Sequence, residues 1–211
     1  NALKIAPGNV YVDCNVGEGG HAEALLHTFD NVSLLGIDLD AEALEVAERR
    51  LKFSPKVILV QANFSDVASI ASTNGLTPVD GLLFDLGVSS RQLDTPRRGF
   101  SFRYEAIPDM RFGTNVHTTA SHIVNEYSER KIAAIIREFG EEPRARAISR
   151  AIVMRRPIES TTQLADVITT TLGRPTKRRI HPATHTFQAL RIAVNSELDS
   201  LRLGLEGAVR I

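Results

Sequence analysis

Short apolar runs alternate with segments of helical period through the first ninety residues, and this alternation constrains the fold more than any other feature. Asn9-Val10-Tyr11-Val12-Asp13 reads as a buried strand, and His21 to Phe29 as the helix that follows it. Val32 to Ile37, closed by Asp38, is a second strand. Ala41 to Leu51 places Ala43, Leu44, Val46, Ala47 and Leu51 at helical spacing, with Asp40 as the N-cap. Val57 to Val60 is a third strand, Asp66 to Ser72 a short helix ended by Asn74-Gly75, and Asp80 to Leu86 a fourth strand. Strands alternating with helices imply right-handed crossovers and a parallel sheet. The expected fold is therefore a doubly wound, Rossmann-like α/β domain.

After Gly87 the alternation stops. Residues 87–113 contain Pro96, Gly99, Pro108 and Gly113 and read as a long loop, which inside a compact domain is usually functional. From His117 to Gly173 the pattern is helical. Ser128 caps Glu129 to Phe139, Pro143 opens a helix to about Met154, and Thr161 or Thr162 caps Gln163 to Leu172. Residues 184–205 read as one long amphipathic helix with Phe187, Leu190, Val194, Leu198, Leu201 and Leu205 on one face. The expected organisation is a core of residues 1–114 and 182–211 carrying an all-helical insert at 115–181. A doubly wound sheet of this kind needs further strands, so a piece of a longer protein is expected.

Composition enters through charge. The net charge is zero, yet residues 1–90 hold 5 Lys and Arg against 12 Asp and Glu, a net of −7. Residues 91–211 hold 20 against 13, a net of +7. A basic second half suggests that it meets RNA or another polyanion; the plainer reading is a set of solvated helix faces. The one cysteine, Cys14, excludes an intrachain disulfide and a cysteine-based zinc cluster. It reads as a small buried residue closing a strand rather than a nucleophile. The six histidines are scattered, so no metal site is expected. No apolar run approaches the roughly 20 residues that a membrane helix needs, and no signal peptide is visible. The expected compartment is a reducing one, cytoplasm or organelle matrix.

The turn Asp13-Cys14-Asn15-Val16-Gly17-Glu18-Gly19-Gly20-His21 is the candidate ligand site. Its glycines let backbone pass under a ligand, and the next helix offers unpaired N–H groups. Gly17-x-Gly19-x-x-Ala22 satisfies a dinucleotide pattern formally, and Asp38 is placed to accept from ribose hydroxyls, so NAD stays open. Three features tilt toward S-adenosylmethionine. Asp13 closes the first strand, where a cofactor ammonium would lie. Asp85 closes the fourth, where a sulfonium would lie. Phe64, after the third strand, is placed to stack on adenine or else to pack in the core.

Further motifs are more specific. Asp85-Leu86-Gly87-Val88-Ser89-Ser90-x-Gln92-Leu93-Asp94 precedes Arg98-Gly99-Phe100-Ser101-Phe102 and Asp109-Met110-Arg111. Later come Gly140-Glu141-Glu142, His181-Pro182-Ala183-Thr184-x-Thr186-Phe187-Gln188-Ala189-Leu190-Arg191-Ile192 and Val194-Asn195-x-Glu197-Leu198. With Gly19-Gly20-His21, this set closely resembles the bacterial 16S ribosomal RNA cytosine-N4-methyltransferase family, which has mitochondrial relatives. The resemblance runs from Asp13 to Leu198. It implies a class I methyltransferase core with a helical insert. It also implies S-adenosylmethionine held by Gly19, Gly20 and His21 at the methionine end, Asp38 at the ribose, Phe64 beside adenine, and Asp85 and Gln92 closing the site. Asn15 departs from the family's usual Thr, and Glu18 from a basic or small residue. The family continues into a Gly-Gly turn and a further strand that are absent here.

The implied reaction places a methyl group on the exocyclic N4 of a cytosine in small-subunit ribosomal RNA. The Asp-Pro-Pro-Tyr pattern of amino-methyltransferases is missing, which leaves Asp85 and the Ser89-Ser90 turn as candidates for the catalytic acceptor. Arg97-Arg98, Arg103 and Arg111 are placed to meet phosphates, with Phe100 or Phe102 to stack on bases or, alternatively, to anchor the loop. Lys177-Arg178-Arg179 and His181 form a second basic site. The RNA or the subunit is the expected partner, and a homodimer stays open. Two other functions stay open as well: a nicotinamide-dependent oxidoreductase and a non-catalytic RNA-binding assembly factor. Were the basic half to bind RNA, affinity should fall about tenfold or more between ~50 and ~200 mM salt in a filter-binding assay.

Overall fold

Successive side chains of a strand point to opposite faces, and both faces of this sheet are covered by helices. The computed structural model describes residues 5–29, 31–173 and 180–211. Strands β1 (Val10–Asp13), β2 (Ser33–Asp38), β3 (Val57–Gln61) and β4 (Gly81–Leu83) form a parallel sheet in the order β3-β2-β1-β4. Tyr11 and Leu34 point to one face, where they pack with Ala22 of helix α1 (Gly20–Thr28) and Ala47 and Leu51 of helix α2 (Ala41–Leu51). Val12, Leu35 and Ile37 point to the other face, against Phe64 and against Val67 and Ala71 of helix α3 (Val67–Thr73). This is the doubly wound α/β core expected from the alternation. The fourth strand is shorter than Asp80 to Leu86 because its last partner is Asp13, where β1 ends and turns away.

Packing divides the chain into two compact units, Asn1–Gly87 with Leu198–Ile211, and Val88–Glu197. The limits expected at 114/115 and 181/182 lie elsewhere, for a reason the cores make plain. Phe100 and Met110 of the long loop, and Phe187, Leu190 and Val194, are buried in one cluster with Ile132, Ile136, Ile148 and Ile152. The loop and the helix after the insert thus share the helical unit's core.

That unit holds the short helix α4 (Ser90–Asp94), then α5 (Ala120–Glu126), α6 (Glu129–Gly140), α7 (Ala145–Met154), α8 (Thr161–Leu172) and α9 (Thr184–Asn195). Ser128 caps α6 as expected, accepting from the Lys131 N–H at 3.3 Å. The cap of α8 is Ser160 rather than Thr161 or Thr162. The Thr161 hydroxyl is engaged elsewhere: it donates to the Tyr104 carbonyl at 2.6 Å and accepts from the Ala106 N–H at 3.2 Å.

The single helix expected over 184–205 is two, α9 and α10 (Glu197–Ala208), broken at Ser196 with φ 49°. Polar pairing beside the break explains it. Asn195 donates to the Met110 carbonyl at 2.7 Å and accepts from the Phe112 N–H at 2.8 Å. Glu197 takes both donors of the Arg191 guanidinium at 2.7 and 2.9 Å. In the first unit, Gly204 of α10 lets the helix lie close to Phe64; a Cβ there would sit 2.9 Å from the ring.

Asn195 therefore holds the loop from a distance in sequence. Asn195→Ala should cost about 2–3 kcal/mol, because it leaves a buried carbonyl and N–H unpaired. A urea midpoint measures the loss, and hydrogen exchange at the Phe112 amide should rise first.

Candidate active site

The site is built where β1, β2 and β4 end. β1 stops at Asp13, whose carboxylate is 3% exposed and accepts from the Asn15 N–H at 3.2 Å. The turn is then pinned to β2. The Val16 N–H donates to the Ile37 carbonyl at 3.0 Å, and the Gly17 N–H donates to Asp38 Oδ2 at 2.8 Å. Asp38 Oδ1 accepts from the Asp40 N–H at 2.9 Å. Gly19 is the residue before α1 and has φ 82°, a left-handed conformation that glycine adopts without strain. A Cβ at Gly19 would also crowd Leu51 at 3.2 Å. Arg50 of α2 reaches toward Gly20 at the first turn of α1, and His21 points its Nε2 to Asp85 Oδ2 at 3.2 Å.

Burial dominates the electrostatics. It pushes the Asp13 carboxyl up to about 6, against the lowering effects of the Asn15 N–H and His21, with Asp38 and Asp85 adding to the rise. Burial likewise raises the Asp38 carboxyl, opposed by the Asp40 and Gly17 N–H groups. It also pushes the Cys14 thiol up to about 12, which suits an inert strand-end residue. Asp13 and Asp38 thus end adjacent strands, Asp13 buried and Asp38 half-buried, and Asp85 follows β4 by two residues. The Asn15 side-chain oxygen is buried and has no hydrogen-bond donor among the described residues. An acceptor without a donor beside a buried carboxylate suits a ligand that brings cationic N–H donors. Sequence reasoning treated Asn15 only as a departure; the signal was an amide where a hydroxyl was expected.

Other expected site residues have local occupations. The Phe64 ring is 6% exposed and meets Phe84 edge-on at 5.7 Å, the core packing held open as its alternative role. Almost none of that ring surface is exposed for a base to lie on. Gln92 belongs to the second unit. Its side chain accepts from the Ser89 N–H at 3.0 Å while Ser89 Oγ accepts from the Gln92 N–H at 3.1 Å, a capping box for α4.

The basic residues divide in the same way. Arg98 donates to the Arg111 and Phe112 carbonyls, both at 3.1 Å. Arg111 makes a two-pronged pair with Asp109 at 2.8 Å on each prong and donates to the Val116 carbonyl at 3.2 Å. Phe100 is 6% exposed and stacks on Phe112 at 5.4 Å. Phe102 stacks on His181 at 4.4 Å. Arg103 is exposed at the loop tip. Lys177, Arg178 and Arg179 lie outside the described residues. Among the described residues no group of three His, Cys, Asp or Glu side chains could hold a metal ion, and no helix is long and apolar enough to cross a membrane.

A parallel sheet wound by helices on both faces, with a glycine turn and carboxylates at its strand ends, has the form of a Rossmann-like class I methyltransferase core. The chain belongs to the MraW methylase family, which it matches over residues 1–211. It is 48% identical over 98% of its length to a protein of Dehalococcoides mccartyi named ribosomal RNA small subunit methyltransferase H, of which it spans 59%. Proteins of the same name from Symbiobacterium thermophilum and Geobacter sulfurreducens are 47% and 50% identical over 100% and 98% of the chain, which spans 68% of each.

The buried Asp13 carboxyl predicts a pH dependence of stability. Its folded value of about 6 lies above the ordinary 3.8, so its contribution is fully present below 3.8 and is lost as pH rises through 6. Asp13→Asn should therefore stabilise the unliganded protein by about 2–3 kcal/mol at pH 8 and by much less at pH 4. Urea midpoints at the two pH values measure the difference.

Proposed function

We propose that the chain is the cofactor-binding core and helical unit of an S-adenosylmethionine-dependent methyltransferase. Its substrate is the exocyclic N4 of a cytosine in small-subunit ribosomal RNA. The observation that carries the cofactor assignment is the set of carboxylates around a glycine turn: Asp13 and Asp38 at the ends of neighbouring strands and Asp85 just after β4. Such a site favours an ammonium and a sulfonium. It disfavours a pyrophosphate, which would bring further negative charge beside these carboxylates, and this argues against the dinucleotide alternative. The substrate assignment rests on family membership and on the names of the relatives.

Each residue has a role in this reading. Gly19 and Gly20 present the first turn of α1 to the methionine end, with Asp13 and the Asn15 oxygen as acceptors for its ammonium. Asp38 already holds two backbone N–H groups and has lone pairs left for ribose hydroxyls. The adenine contact passes to the backbone after β3, since the Phe64 ring is buried. Once bound, the cofactor supplies an electrophilic methyl group.

The cytosine N4 lone pair is delocalised into the ring, so the protein must position the amine and exclude water. Asp85 is the group we assign to accept an N4 hydrogen, increasing electron density at the nitrogen. The Ser89 hydroxyl oxygen already accepts from the Gln92 N–H, so we assign the task to Asp85 before the Ser89–Ser90 turn. Arg103 and the 177–179 segment are the basic residues assigned to RNA, while Arg98, Phe100 and Arg111 serve it by holding the loop.

Nucleoside mass spectrometry of small-subunit RNA incubated with the protein and labelled cofactor tests the assignment. N4-methylcytidine is the expected product. Asp85→Ala should lower turnover about 100-fold or more. A label on another atom, or a variant with full turnover and full cofactor affinity, would count against it.

A further inference from the structure

One imidazole, that of His21, stands at the candidate cofactor site. His21 Nε2 lies 3.2 Å from Asp85 Oδ2, and both side chains are largely exposed, at 68% and 60%. The contact is therefore open to exchange with a ligand from solvent. Strand order sets Asp38 on β2 and Asp85 after β4 on either side of Asp13, at the end of the intervening β1. His21 and Asp13 feel one another electrostatically, as do Asp13, Asp38 and Asp85. The other charged groups nearby are accounted for. Arg50 of α2 reaches toward Gly20 and pairs with Glu23 of α1 at 3.6 Å. Asp40 caps α2 through the Glu42 N–H. Glu18 stands in the turn itself. Among these groups His21 alone is an imidazole, whose pairing with Asp85 is ionic only when it is protonated.

We propose that His21 is the resting counter-ion of Asp85 and that S-adenosylmethionine displaces it, so that cofactor capture expels protons and the site tells sulfonium from sulfide by pH. The proposal rests on the methyltransferase reading above. S-adenosylmethionine carries an ammonium, a sulfonium and a carboxylate, a net charge of +1. S-adenosylhomocysteine lacks the methyl group and the sulfonium charge and is neutral overall. An imidazolium beside Asp85 and a sulfonium beside Asp85 repel one another. Binding of the charged cofactor therefore favours neutral His21, whose proton passes to solvent. It also favours ionised Asp13, whose proton follows. By linkage, a ligand that prefers the deprotonated site binds more tightly as pH rises. The sulfide makes no such demand, so the His21–Asp85 pair re-forms beside it. The loss of charge that accompanies methyl transfer thus restores the resting pair and weakens the hold on the product.

Calorimetric titration of the protein with each compound tests this, in buffers of differing ionisation enthalpy and from pH 5.5 to 8. S-adenosylmethionine should release more protons than S-adenosylhomocysteine. The ratio of their affinities should shift by about two- to fivefold in favour of S-adenosylmethionine across that range, the coupling expected of an exposed ion pair. His21→Gln should flatten the ratio and should bind S-adenosylmethionine at pH 5.5 at least as tightly as the unaltered protein does. A ratio independent of pH in the unaltered protein would overturn the proposal. So would a His21→Gln variant weakened equally at every pH, since His21 would then be a plain contact. If neither compound binds, the cofactor assignment fails and this proposal with it. Binding of both without differential proton release sinks the exchange alone.

Discussion

The Asp38 carboxylate shapes the glycine turn after β1. It takes the Gly17 N–H at 2.8 Å and the Asp40 N–H at 2.9 Å, and so ties the end of β2 to the loop leaving β1. With that tie in place, the Val16 N–H finds the Ile37 carbonyl and Gly19 can adopt the left-handed conformation that starts α1. The position of His21, and through it the contact with Asp85, follows from where α1 begins. One side chain thus links the sheet, the turn and the charged groups. It does so from a half-buried position, where each N–H it accepts offsets part of the cost of partly desolvating a carboxylate.

The two units spend charge differently. In the first, Asp13, Asp38 and Asp85 gather around the glycine turn, and a cationic ligand of the kind proposed would relieve their mutual repulsion. In the helical unit the charged motifs are satisfied from within. Arg98 and Arg111 are bound to carbonyls and to Asp109, and Arg191 to Glu197. Two residues of the row that reads as phosphate-binding in the sequence, Arg98 and Arg111, thus frame a loop.

The legibility of the sequence follows the range of the interactions. Strands, helices and the Asp40 and Ser128 caps depend on neighbours within a few residues, and they are where the spacing puts them. The strand-end acids were legible for the same reason: each closes an apolar run. The α9–α10 break was not, because its apolar face continues past Ser196 while the cause lies with Met110 and Phe112. The cap of α8 shifted by one residue because Thr161 answers to Tyr104 and Ala106. The loop over 87–113 reads as polar and open, yet Phe100 and Met110 anchor it in a core. Charge shows in a sequence; the group that neutralises it, tens of residues away, does not.

The hold of Asn195 on Met110 spans 85 residues and has a consequence for assembly along the chain. A nascent polypeptide that has emerged only as far as residue 113 possesses the loop but none of the side chain that fixes Met110 at φ 65°. The unit's core is likewise incomplete until Phe187, Leu190 and Val194 have been made. The first unit waits longer still, since Leu201 and Gly204 of α10 come last to the face bearing Phe64. The sheet can therefore pair early, whereas the order of the binding loop and the closing of one sheet face are late events of synthesis.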